Sequence, residues 1–116
     1  MPHVRLETTS DLEENDKLPD ILEALTSALA SHESMTSKAI KSYHTLRSVW
    51  CVGEGASPGF AHCEVAILSG RTLELRQSIA SSLMAVMRDQ FSESLSSGVV
   101  SVTLELREMD AQTYQR

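Results

Sequence analysis

Aromatic side chains are scarce in this sequence: one Trp, two Tyr and two Phe, 4% of 116 residues. The interior must therefore be filled by Leu, Ile, Val, Met and Ala, which contribute buried area rather than ring stacking. Basic residues are outnumbered, ten Lys and Arg against 16 Asp and Glu, for a net charge of −6 with four neutral His. That balance excludes a general nucleic-acid binder, which needs a basic face, and it excludes docking on an anionic membrane. It leaves room for a local basic pocket, and with so few cations any two that converge on one place matter. Cysteine is limited to Cys51 and Cys63, which form no C-x-x-C pair. No zinc framework is legible, and no disulfide is expected without marks of secretion, so both read as buried strand thiols. No apolar run approaches the ~18 residues of a membrane span. The opening MPHVRLETTSDLEEND carries acids where a signal peptide needs an apolar stretch. A cytoplasmic protein with no membrane partner is expected. Gly-rich phosphate loops and Ser/His/Asp arrangements are also missing, and the acidic run Asp11 to Asp16 lacks the spacing of a calcium loop.

What is present is ordinary globular composition, 41% apolar and 22% charged, in a length that fits one domain over residues 1–116. Val4 and Leu6 alternate with His3, Arg5 and Glu7, a strand period. A polar loop follows to Asn15, with Asp16 a candidate N-cap and Pro19 tolerated in the first helical turn. Leu18, Ile21, Leu22, Leu25, Ala28 and Leu29 recur at helical spacing and predict a helix ending near Ser31 or His32. Residues 39–52 read as extended, with Ile40, Leu46, Trp50 and Val52 in one parity. The segment from Gly53 to Gly59 is dense in turn formers. Phe60 to Leu68 reads as a third strand, Thr72 to Leu95 as one long helix striped by Ile79, Leu83, Val86, Met87 and Phe91, and Val99 to Arg107 as a fourth strand. Gly98 stands where a helix C-terminal cap is needed.

The order is β-α-β, turn, β-α-β, in halves spanning about residues 2–52 and 60–108. Right-handed crossovers make the strands within each half parallel. The predicted fold class is α/β (α+β), a four-stranded sheet with two helices on one face. The uncovered face is expected to be partly apolar and to call for a partner subunit. The same element order also fits a ferredoxin-like sheet, and a non-catalytic binding module built on it is an alternative reading.

Two features carry possible chemistry. Met1-Pro2-His3 places a proline where removal of the initiator Met would free a secondary amine, able to act as base or nucleophile if neutral. Desolvation and nearby cations would keep it neutral. A proline at this position carries little information by itself. The second feature is Gly70-Arg71-Thr72-Leu73-Glu74, where a strand ends and a helix begins; an Arg at a helix N-terminus suits a carboxylate, though a surface Arg is as good a reading. His3, Tyr43, His44, His62, Glu7, Glu105 and Glu108 are weaker candidates, each with a plain structural or solvent-facing alternative. Met84 and Met87 lie on the helical stripe and belong to the core.

Taken in order, Met1-Pro2-His3, the run Lys17 to Ala30, Ala39-Ile40-Lys41-Ser42, Phe60-Ala61-His62, Gly70-Arg71-Thr72-Leu73-Glu74 and Glu105-Leu106-Arg107-Glu108 resemble the 5-carboxymethyl-2-hydroxymuconate isomerase family of the tautomerase superfamily. The resemblance implies the double β-α-β fold of tautomerases assembled as a homotrimer. It implies Pro2 as the proton carrier on an unsaturated 2-hydroxy dicarboxylic acid and Arg71 as a substrate-binding arginine. Lys41 falls where the family has its other active-site arginine; it keeps the charge and loses the planar fork. That exchange keeps open another proline-dependent reaction, a hydration or dehalogenation. Lys41 would stabilise the developing enolate. No metal or organic cofactor is needed for such a transfer. The sequence stops at Tyr114-Gln115-Arg116, where family members tend to run on.

Overall fold

The computed structural model describes residues 1–116. Strand β1 (His3–Thr9) sends Val4, Leu6 and Thr8 into full burial on one side. A 3-10 turn, Glu13–Lys17, leads straight into helix α1 (Leu18–Ala30), which buries Ile21, Leu25 and Leu29 at four-residue intervals. Pro19 sits in its first turn, where a missing N–H is harmless. Asp16 is not the cap: it lies inside the 3-10 turn, Lys17 takes the cap position, and no side chain bonds there. A second 3-10 turn, Ser37–Ala39, precedes β2 (Lys41–Arg47), so β2 is shorter than expected; its pairing with β1 ends where β1 ends, at Thr9 opposite Arg47. Beyond it Cys51 is exposed in a loop rather than buried in a strand.

Strand β3 (Gly59–Leu68) begins at a glycine for a steric reason. A Cβ on Gly59 would lie 2.7 Å from Thr9 Oγ1 and 2.9 Å from Asp11 Oδ1. Helix α2 (Leu73–Gln90) starts at Thr72, whose hydroxyl accepts the Leu75 N–H at 3.2 Å. The single helix expected from Thr72 to Leu95 is two, because α2 breaks at Phe91 and α3 (Ser92–Ser96) follows. Phe91 is fully buried, and the buried Glu14 carboxylate accepts both the Ser94 N–H, at 3.1 Å, and the Ser94 hydroxyl, at 2.5 Å. Those tertiary anchors leave no trace in the periodicity. Gly98, at φ 71°, closes α3 before β4 (Val100–Met109).

The sheet order is β2-β1-β3-β4, with β1 parallel to β2, β3 parallel to β4, and β1 antiparallel to β3. Because β1 and β2 are direct neighbours, the split ferredoxin-like arrangement is excluded. One core of 16 buried residues joins the inner sides of β1 and β3 to α1 and α2. The uncovered face is partly apolar, as expected above, and carries ion pairs as well. Strand alternation sends most large apolar residues to the helix side but leaves Tyr43, Phe60, Leu68 and Met109 on the open side, beside Arg5 and Arg107 against Glu64 (3.7 and 4.0 Å) and Arg47 against Glu7 (2.6 Å). A partner laid on this face would bury those apolar side chains together with the ion pairs.

Candidate active site

Strand register brings four distant stretches to one end of the sheet. β1 runs parallel to β2, so Pro2 stands beside the start of β2 and the turn before it; the Lys41 N–H donates to the Pro2 carbonyl at 3.0 Å. β1 runs antiparallel to β3, with His3 opposite Ala66, so the same end meets the segment from Leu68 to Arg71. β4 runs parallel to β3 and finishes at Met109 opposite Leu68, which returns the C-terminal residues to this end. The result is a cleft of about 450 Å³ lined by Met1, Pro2, Ser34, Thr36, Lys38, Ala39, Arg71 and Arg116. None of these is acidic.

Pro2 is buried. Arg71 is held in the wall by three neutral acceptors: its Nη1 donates to the Leu68 carbonyl at 3.1 Å, its Nε to Ser34 Oγ at 3.3 Å and its Nη2 to the Ser34 carbonyl at 3.4 Å. Ser34 adopts φ 68°, a left-handed conformation in which L residues are strained. No carboxylate pairs with Arg71, so its charge is free to act on the cleft. The α-amine of Met1 feels it: loss of water around that amine, then the charges of Arg116, Arg71 and Lys41, hold it below the usual α-amine range.

The cleft therefore unites Pro2 and Arg71. Lys41 is close enough for its charge to reach the amine, but it is exposed, shares the open sheet face with its neighbour His3, and does not line the cleft. The weaker candidates stand elsewhere. His3 Nε2 lies 3.1 Å from the Tyr114 hydroxyl, and His62 Nδ1 lies 2.7 Å from Thr103 Oγ1. His44 Nε2 lies 2.7 Å from Thr8 Oγ1. Glu7 pairs with Arg47, Glu108 with Arg76, and Glu105 is exposed. A second concavity, of about 280 Å³ on the open sheet face, includes Arg5, Arg107 and Glu64, but there the arginines are already matched by the carboxylate. No three of His, Cys, Asp and Glu converge as a metal site would require.

Sequence reasoning missed Ser34, Lys38 and Arg116. Lys38 had a usable signal, because the residues before the second strand of a parallel pair share an end with the start of the first. Arg116 had none.

The family model for 5-carboxymethyl-2-hydroxymuconate isomerase matches residues 2–116. The chain belongs to that family. No curated protein sequence matches it. Among solved structures, a 5-carboxymethyl-2-hydroxymuconate isomerase from Deinococcus radiodurans R1 superposes with a TM-score of 0.90 at 23% identity, covering 99% of this chain and 87% of that one. A 5-carboxymethyl-2-hydroxymuconate delta-isomerase gives 0.83 at 14% identity over 100% and 87% of the two chains. A fused 4-OT wild type symmetric trimer gives 0.68 at 17% identity over 98% and 90%. At these identities the structural likeness is one of fold, and the fold is that of tautomerases. As a member of the 5-carboxymethyl-2-hydroxymuconate isomerase family the protein is an isomerase, which removes the reading as a non-catalytic module.

Proposed function

We propose that this isomerase moves a proton along the conjugated system of an unsaturated 2-hydroxy acid such as 5-carboxymethyl-2-hydroxymuconate, with the nitrogen of Pro2 as carrier once Met1 is removed. The observation that carries the reading is the meeting of Pro2 and an unpaired Arg71 in one acid-free cleft. A substrate carboxylate on Arg71 would fix the chain of double bonds over the proline ring. The neutral amine takes the proton from the 2-hydroxyl, the O–H electrons become the carbonyl π bond, and the displaced π electrons take the same proton back at a distal carbon. Atoms and charge balance without a cofactor. The surroundings favour the neutral form: the α-amine of Met1, beside Pro2, is held below its ordinary range by desolvation and by the charges of Arg116, Arg71 and Lys41, and a Pro2 amine freed in the same cleft would meet the same cations. Lys41 contributes to that field through space rather than by gripping the enolate.

Residence in the cytoplasm fits the absence of any helix long and apolar enough to cross a membrane. Assembly as a homotrimer is supported by the likeness in fold to a 4-OT that forms a symmetric trimer. The deciding experiment follows ketonisation of a 2-hydroxymuconate-type enol by its ultraviolet absorbance, after intact mass has shown that Met1 is gone. Pro2→Ala should lower kcat by about 100-fold, the scale of a positioned proton carrier. Equal rates would remove the proline mechanism.

A further inference from the structure

We propose that Arg116 is a second anion anchor that makes this cleft prefer ligands with two carboxylates over ligands with one. The inference deepens the reading of the cleft as the substrate site and rests on it. In a chain with 16 acids and ten bases, arginines are readily matched. Arg5, Arg47, Arg76 and Arg107 each lie within 4.0 Å of a glutamate. Three arginines have no such partner: Arg88 on α2, and Arg71 and Arg116, the two that line the cleft.

The two are not equivalent. Arg71 has Nε, Nη1 and Nη2 engaged by Ser34 and Leu68, which fixes its guanidinium in place and leaves it fewer free N–H groups. It is a positioned site for one carboxylate. Arg116 makes no hydrogen bond within the chain, so its whole fork of N–H donors is available to a second carboxylate. It lines the same cleft as Pro2 and Arg71. Lys38 adds a third cation to the lining, which contains no Asp or Glu side chain. A ligand with one carboxylate leaves this second cluster unmatched, while a dianion spans both.

The probes share one carbon skeleton and differ by one charge: trans,trans-muconate, with two carboxylates, and sorbate, with one. Binding of each is measured by titration calorimetry on the full chain with Met1 removed. The wild type should bind muconate at least about tenfold more tightly than sorbate, the scale of one charge-assisted contact. Arg116→Gln should shrink that preference at least about fivefold, Arg116→Lys should shrink it less, and Arg71→Gln should weaken both ligands. A wild type without the preference, or an Arg116→Gln protein that keeps it, overturns the proposal. Thermal unfolding of each variant shows that the fold is intact, and Arg116 is exposed, so a folded variant is expected. Failure of the proline mechanism reads differently: wild type and Pro2→Ala turn over equally while the binding preference remains.

Discussion

The chemistry proposed turns on the Pro2 nitrogen, and the groups around the chain start would set its charge. At the adjacent Met1 amine, burial away from water lowers the pKa most, with Arg116, Arg71 and Lys41 adding to the effect. Arg71→Gln removes one cation that favours the neutral base, so the acid limb of kcat/KM against pH should move to higher pH. A limb that stays put would show that desolvation alone sets the amine. The same substitution should raise KM by about 10- to 100-fold, the scale of a hydrogen bond to a charged group. A second contrast at this scale lies in the two thiols. Burial, with a smaller contribution from Glu64, pushes Cys63 up to about 12, whereas Cys51 is exposed in its loop. A thiol reagent at pH 8 should titrate one cysteine in the native protein and both after denaturation. Pro2 and Arg71 were legible as residues because each stands in a distinctive local setting, a chain start and a strand-to-helix turn. Cys51 was misread because a strand parity was extended past the point where the pairing partner stops.

The elements obey their local patterns until a tertiary contact intervenes. α1 and the strands β1, β3 and β4 follow directly from periodicity, as alternation of Val4 with Leu6 and the spacing of Ile21, Leu25 and Leu29 require, while β2 stops at Arg47, short of the extended run read to residue 52. The break between α2 and α3 does not. It is enforced by Glu14, brought from the other half of the chain to hold the Ser94 N–H and hydroxyl. Glu14→Ala leaves buried donors without an acceptor and should cost about 1–3 kcal/mol in urea unfolding. Gly98 needs its φ of 71° to turn the chain into β4, and Gly98→Ala should cost about 1 kcal/mol by the same measurement. Values near zero for both would mean that α3 is an adornment rather than part of the cooperative unit.

For the whole molecule, pH acts on stability through His44, whose pKa burial lowers from its ordinary 6.5. The hydrogen bonds explain why charge is not wanted there. The Asn15 amide donates to the Thr9 carbonyl at 2.9 Å, so Oδ1 of Asn15 faces Thr8 and takes its hydroxyl proton at 2.6 Å. Thr8 then accepts from His44 Nε2–H at 2.7 Å, a bond the neutral ring already supplies. The unfolded chain binds the His44 proton first as pH falls. This contribution to stability is full above pH 6.5 and is lost as pH drops from there through the folded-state value. Unfolding free energy measured from pH 7 to pH 5 should decline, and His44→Gln should flatten that decline. Assembly belongs to this scale too: sedimentation at equilibrium should return three chain masses, and a monomer would remove the trimer. The open sheet face mixes ion pairs with Tyr43, Phe60, Leu68 and Met109, so a partner subunit laid on it would bury both, in line with the expectation of a partly apolar face.

The sequence by itself determined the strand and helix order, the parallel pairing within each half, the family, and the candidacy of Pro2 and Arg71, because each rests on local spacing or on a motif in fixed order. Only the tertiary structure decided that β1 lies between β2 and β3, which one end of the sheet then gathers. That register put Lys38 and Arg116 into the cleft and left Lys41 on its outside. The physical reason is that alternation along a strand tells which side a residue faces, while the convergence of chain ends depends on which strands pair and in what direction.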